Sequence, residues 1–110
     1  MQITTRRLDK TAIFDISGDI DLAHSSEVRR VVLLEFKEKR TPRVILNLLA
    51  VNYIDSSGVA SLVEGLKAAR DVGSRLILCG LSPIAHEVPQ LSKLLKIFEI
   101  YDTEDMALQA

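Results

Sequence analysis

Residues 44–73 read VILNLLAVNYIDSSGVASLVEGLKAARDVG, and the change of period inside this stretch sets the architecture. Val44 to Leu48 is a short, mostly apolar run, the pattern of a strand covered on both faces. From Val59 onward the apolar residues Val59, Leu62, Val63, Leu66 and Ala69 recur at helical spacing, with Glu64, Lys67, Arg70 and Asp71 on the other side. Gly73 stands where a left-handed cap is expected. Leu49 to Ile54 reads as the connection, and Asp55-Ser56-Ser57-Gly58 as the start of the helix. That tetrapeptide admits two roles. Ser and Asp are common N-caps, each worth about 1 kcal/mol to a helix. A serine exposed at a helix N-terminus also lies in the positive end of the dipole, among amides without intrahelical acceptors, which is favourable ground for a phosphoryl group.

Upstream, Ile3 to Arg7 and Thr11 to Ser17 read as paired strands, with Leu8-Asp9-Lys10 as their turn and Gly18-Asp19 as the next punctuation. Val28, Val31, Val32, Leu34 and Phe36 fit a helix from Ser25 or Ser26 to Arg40, stopped by Thr41-Pro42. Downstream, Arg75 to Gly80 is a second buried strand, and Ser82-Pro83 opens a third helix carrying Ile84, Val88 and Leu91, kinked or ended by Pro89 near Val88. Ile97 to Tyr101 is a last strand, and Asp102 or Thr103 caps a final helix through Leu108. The order β-β-α-β-α-β-α-β-α predicts an α/β domain with about four helices on a mixed, mainly parallel sheet of about five strands.

The 110 residues are 47% hydrophobic with a formal net charge of -1, enough apolar material for one core spanning residues 1–110. The basic residues are scattered among acids, so no electrostatic footprint for nucleic acid is expected. No apolar segment approaches the roughly 20 residues of a bilayer crossing, and the first residues carry no apolar signal region; a cytoplasmic location without membrane insertion is expected. The lone Cys79 lies in an apolar run and reads as a buried structural thiol. His24 and His86 sit in no triad context, no His or Cys pair has metal-ligand spacing, and no glycine-rich phosphate loop is present. Enzymatic activity, a metal and a cofactor are therefore not expected.

The element order, together with four local stretches, resembles the STAS family, the fold of bacterial anti-sigma factor antagonists of the SpoIIAA type and of the cytosolic ends of sulfate transporters. The stretches are Gly18-Asp19-Ile20-Asp21, similar to the family's Gly-Glu-Leu-Asp turn; Val44-Ile45-Leu46-Asn47-Leu48, similar to its central strand; Asp55-Ser56-Ser57-Gly58-Val59; and Ser82-Pro83 after the strand Leu76 to Cys79. The resemblance implies that Ser56 is a phosphoacceptor and that the domain is a binding module. Unmodified, it binds an anti-sigma factor that is also a serine kinase; phosphorylation releases it, and a PP2C-type phosphatase resets it. The alternative the family offers is a cytosolic accessory subunit of an ABC-type lipid or anion transporter.

The same resemblance implies roles for the neighbours. Asp21 lies beside the phosphosite and, with Ile20 and Leu22, forms the rim of a partner interface, with a solvent-exposed turn acid as the plain alternative. Asp55 holds the loop by accepting amides or presents Ser56 to the kinase, with an ordinary turn aspartate as the plain alternative. Ser57 is read as a helix cap at the interface. Gly58 is small enough to let a partner approach the helix start, with a glycine that merely suits the turn as the plain alternative. Val59 adds an apolar contact, though its spacing also suits the core. The chain departs from the family's usual Gly-Leu-Gly at Gly58-Val59-Ala60, and again at Pro89 and Lys93.

Overall fold

In the computed structural model, which describes residues 1–81 and 96–110, strand β1 (Gln2–Leu8) pairs antiparallel with β2 (Thr11–Ile20) from Gln2↔Ser17 to Leu8↔Thr11. Asp9 takes a left-handed φ of 55° in the turn between them, a conformation that Asp tolerates better than most residues. Helix α1 (Ser25–Lys37) carries the chain to β3 (Arg43–Ile54), and α2 (Ser56–Asp71) carries it to β4 (Arg75–Cys79). Strand β5 (Glu99–Tyr101) and helix α3 (Glu104–Leu108), N-capped by the Thr103 hydroxyl, complete the described elements. The sheet order is β1-β2-β3-β4-β5, parallel except for the β1–β2 edge. This is the expected mixed α/β sheet, with three helices among the described residues. The predicted helix from Ser82-Pro83 through Leu91 lies outside them.

Both long helices cover one sheet face. Phe14, Ile16, Leu46, Leu48, Leu76 and Leu78 point into a core closed by Val28, Val32 and Phe36 of α1 and Leu62, Leu66 and Ala69 of α2. The helices approach closely at Gly65, where an added Cβ would stand 2.9 Å from Val32 Cγ1. On the opposite face Ile13, Ile45, Ile77 and Cys79 pack with Ala107 of α3. Burial pushes the Cys79 thiol up to about 11, which makes it a packing residue.

Three boundaries differ from the sequence expectation. Leu49 to Ile54 is strand, not connection: β3 runs twelve residues against ten of β2, because two register shifts each insert an extra β3 residue. The bulges break the alternation that marks a strand, turning Leu49 and Tyr53 out to 68% and 50% exposure while Val51 and Ile54 stay inside. Gly18-Asp19, read as punctuation, lies within β2, where Gly18 has φ 94° and packs on Met1. Helix α1 ends at Lys37, because Arg40 turns left-handed and the Thr41 N–H returns to the Glu35 carbonyl.

One buried charge is held in this layer. The Glu35 carboxylate accepts two hydrogen bonds from Arg7, at 2.7 and 2.9 Å, and one from the Thr41 hydroxyl. The Arg7 hydrogen bonds, working against burial and joined by that of Thr41, hold Glu35 below the usual carboxylate range.

Candidate functional site

The C-terminal ends of β2 and β3 meet the N-terminus of α2, and the junction is made almost entirely by Asp55. Its backbone is extended, with φ -94° and ψ -174°, as an N-cap requires. One carboxylate oxygen, Oδ1, accepts the Gly58 N–H at 2.9 Å, and Oδ2 accepts the Leu22 N–H at 3.0 Å from the turn between β2 and α1. The Asp55 N–H donates to the Ile20 carbonyl at 3.3 Å, and its own carbonyl accepts the Val59 N–H at 2.9 Å. A single residue thus caps the helix and ties the preceding strand and turn to it.

With the cap supplied by Asp55, Ser56 falls at the first helical position and is exposed. No acidic residue occupies the first turn of α2, so the positive end of its dipole is not offset from within the helix. Ser57 was expected as the cap and is not, since the Asp55 carboxylate already bonds the N3 amide. Ser57 is half-buried and lines a cleft of about 330 Å³ between α1 and α2, together with Leu22, Ser26, Arg29, Ala60 and Glu64. Arg29 and Glu64 form a loose 3.4 Å pair across that cleft.

Gly58 and Val59 are both buried, so neither presents side-chain surface to a partner. At Gly58 a Cβ would stand 2.2 Å from the Ile20 carbonyl oxygen and 2.7 Å from Ile54 Cγ2, so glycine is required by the approach of the helix to β2. Val59, 6% exposed, belongs to the core, as its spacing alone suggests. Asp21 does not reach across to α2. Its side chain pairs with His24 Nδ1 at 2.7 Å, and its carbonyl accepts the N–H groups of His24 and Ser25, closing the first turn toward α1. Leu22, beside it, is 77% exposed.

The structure therefore ties Asp55 to Leu22 and places Leu22 and Ser57 along one cleft; Ser56 is exposed between Asp55 and Ser57 in the chain, and the Asp21 hydrogen bonds stay within its own turn and α1. Ile20, expected on the rim of the interface, is instead fully buried because it faces the core, and it is its carbonyl that joins this junction, receiving the Asp55 amide and abutting Gly58. Backbone atoms carry no residue signature, and only the Gly58 position hinted at a close approach.

The model of the family described as STAS domain matches residues 2–107. The chain belongs to the STAS domain family. Among its relatives, an anti-sigma F factor antagonist of Paenibacillus polymyxa is 29% identical over 109 residues, covering 98% of this chain and 92% of that protein. An anti-sigma-B factor antagonist of Listeria monocytogenes is 30% identical over 105 residues, covering 94% and 90%. Among solved structures, the anti-sigma factor antagonist SpoIIAA in its unphosphorylated form shares the fold of this STAS chain with a TM-score of 0.77 at 20% identity, covering 98% of this chain and 96% of that one. No helix among the described residues is long and apolar enough to cross a membrane.

Proposed function

We propose that this STAS chain is an anti-sigma factor antagonist switched at Ser56. Unmodified, it binds an anti-sigma factor serine kinase and so regulates sigma-factor-dependent transcription; phosphorylation of Ser56 releases it, and a PP2C-type phosphatase restores the binding form. The chain is substrate and ligand in this scheme, not catalyst, and acts in the cytoplasm. One observation carries the reading: Ser56 is exposed at the first position of α2 while Asp55 does the capping, so the hydroxyl can be modified without uncapping the helix. The antagonist names of relatives that cover nearly the whole chain support it.

The energetics suit a switch. A phosphoserine brings roughly -1.5 to -2 charges. At an exposed helix start the fold tolerates them, although Asp55 is the adjacent residue. Enclosed against a partner, an unpaired dianion costs several kcal/mol, and about 1.4 kcal/mol is a factor of ten in affinity. A thousandfold release follows without refolding. Asp21, Ser57 and the exposed Leu22 then form the contact surface around the modified oxygen, with Asp55 holding the turn that carries Leu22.

The test is intact-mass analysis with peptide mapping after incubation with ATP and a candidate anti-sigma factor serine kinase. One phosphoryl group on the Ser56 peptide is the expected result. Binding without modification, or modification elsewhere, overturns the assignment.

A further inference from the structure

We infer that Asp55 is a positioning residue: its carboxylate holds the β2–α1 turn against α2 so that Leu22 is presented as an apolar contact for the partner beside Ser56. The inference deepens the proposed function and rests on it for the identity of that partner, but its mechanical half concerns this chain alone. The carboxylate divides its oxygens between two elements, with Oδ1 on Gly58 of α2 and Oδ2 on Leu22 of the turn. Only an atom set that accepts in two directions can do both. Described contacts that close the turn on its other side, from Asp21 to His24 and Ser25, lie within the turn and α1 and do not reach α2. The Leu22 N–H to Asp55 bond and the Asp55 N–H to Ile20 bond therefore clasp the turn to the helix that carries Ser56.

Leu22 gives that clasp a purpose. At 77% exposure it is the most exposed of the large apolar side chains described, and it lines the same α1–α2 cleft as Ser57 and Ala60. An isolated exposed leucine needs no explanation. This one has its backbone fixed by a charge-assisted hydrogen bond, and such bonds are roughly twice as strong as neutral ones. Pre-fixing a contact residue removes an ordering cost that binding would otherwise bear. The occupant is the anti-sigma factor kinase of the proposed function, which would meet the Leu22 side chain at the end of the chain's surface that carries Ser56.

Asp55→Asn isolates the effect. Asn caps helices as well as Asp, but its amide accepts at one atom only, so one of the two hydrogen bonds is lost while shape is kept. In amide hydrogen exchange by NMR, Leu22 is expected to exchange about tenfold faster while Gly58 stays protected. Affinity for the same anti-sigma kinase is then measured for Asp55→Asn, Leu22→Ala and the double variant. Asp55→Asn is expected to weaken binding about tenfold in the native background and to have no effect once Leu22 is alanine. Unchanged Leu22 exchange, or independent effects of the two substitutions on binding, overturns the inference. A kinase that fails to bind the native chain sinks the proposed function instead, while the exchange result still judges the clasp.

Discussion

Replacing Gly58 with alanine tests whether this glycine serves packing. The added methyl would lie 2.2 Å from the Ile20 carbonyl oxygen, 2.7 Å from Ile54 Cγ2 and 3.0 Å from Ile20 Cγ2. The first of these neighbours is backbone, so the start of α2 must retreat from β2 by about 1 Å to reach ordinary contact. The Asp55 N–H to Ile20 bond is already 3.3 Å long and the Leu22 N–H to Asp55 bond 3.0 Å, and neither survives such a shift. Overpacking costs roughly 1–3 kcal/mol and two lost hydrogen bonds about 1 kcal/mol each, offset by about 1 kcal/mol of helix propensity gained by alanine. The net loss is about 2–4 kcal/mol, or a fall in Tm of roughly 10–25 °C for a domain of this size. Urea unfolding followed by far-UV circular dichroism measures it, with the midpoint falling at constant slope. Gly73→Ala is the control: nothing lies within 4 Å of its Cβ position, but its φ of 70° disfavours alanine by about 1 kcal/mol. A Gly58→Ala protein within about 0.5 kcal/mol of the native chain would refute the packing argument.

Ser56→Asp should weaken binding to the anti-sigma kinase severely, whereas Ser56→Ala should bind yet resist release by ATP; equal affinities of the two in a titration would exclude a charge mechanism. Arg7→Ala leaves the Glu35 carboxylate buried with only the Thr41 hydroxyl and Lys39 at 4.0 Å. Because the Arg7 guanidinium is half exposed and screened by water, the loss is about 1–3 kcal/mol, below that of a fully enclosed pair. Glu35 has a depressed folded-state value, so its contribution is complete above the unfolded carboxylate value of about 4.3 and disappears as pH falls through the folded one. Urea midpoints between pH 7 and pH 3 should therefore decline less in Arg7→Ala than in the native chain. Cys79, with its thiol raised to about 11, should not react with a disulfide reagent at pH 8 until denaturant is added, and immediate reaction in the folded protein would contradict its burial.

The proposed switch and the clasp assign different tasks to adjacent residues of one tetrapeptide. Ser56 is free to carry charge because Asp55 satisfies the N3 amide, and Asp55 can reach Leu22 because Gly58 lets the helix start lie against Ile20. Ser57, turned toward the α1–α2 cleft, shares neither task. Ala60 is exposed along this cleft, where the family pattern usually has glycine.

Periodicity was enough to read the α/β order, the helical face of α2 and the place of two serines at its start, since apolar spacing follows directly from which faces must leave water; that Ser56 is exposed came from the structure. It was not enough for β3, where two bulges interrupt the alternation; their meaning exists only against the shorter partner strand β2. The cap was ambiguous for a related reason: Asp55, Ser56 and Ser57 are all good cap residues by type, and backbone geometry selected Asp55. Gly58 looked like room for a visitor, yet the space is already taken by the Ile20 carbonyl. Local preference determines which elements form and which side chains can carry chemistry. Contacts between atoms distant in the chain, such as Asp55 with Leu22, arise only when the packed core brings those elements together, and they decided what each residue of the site does.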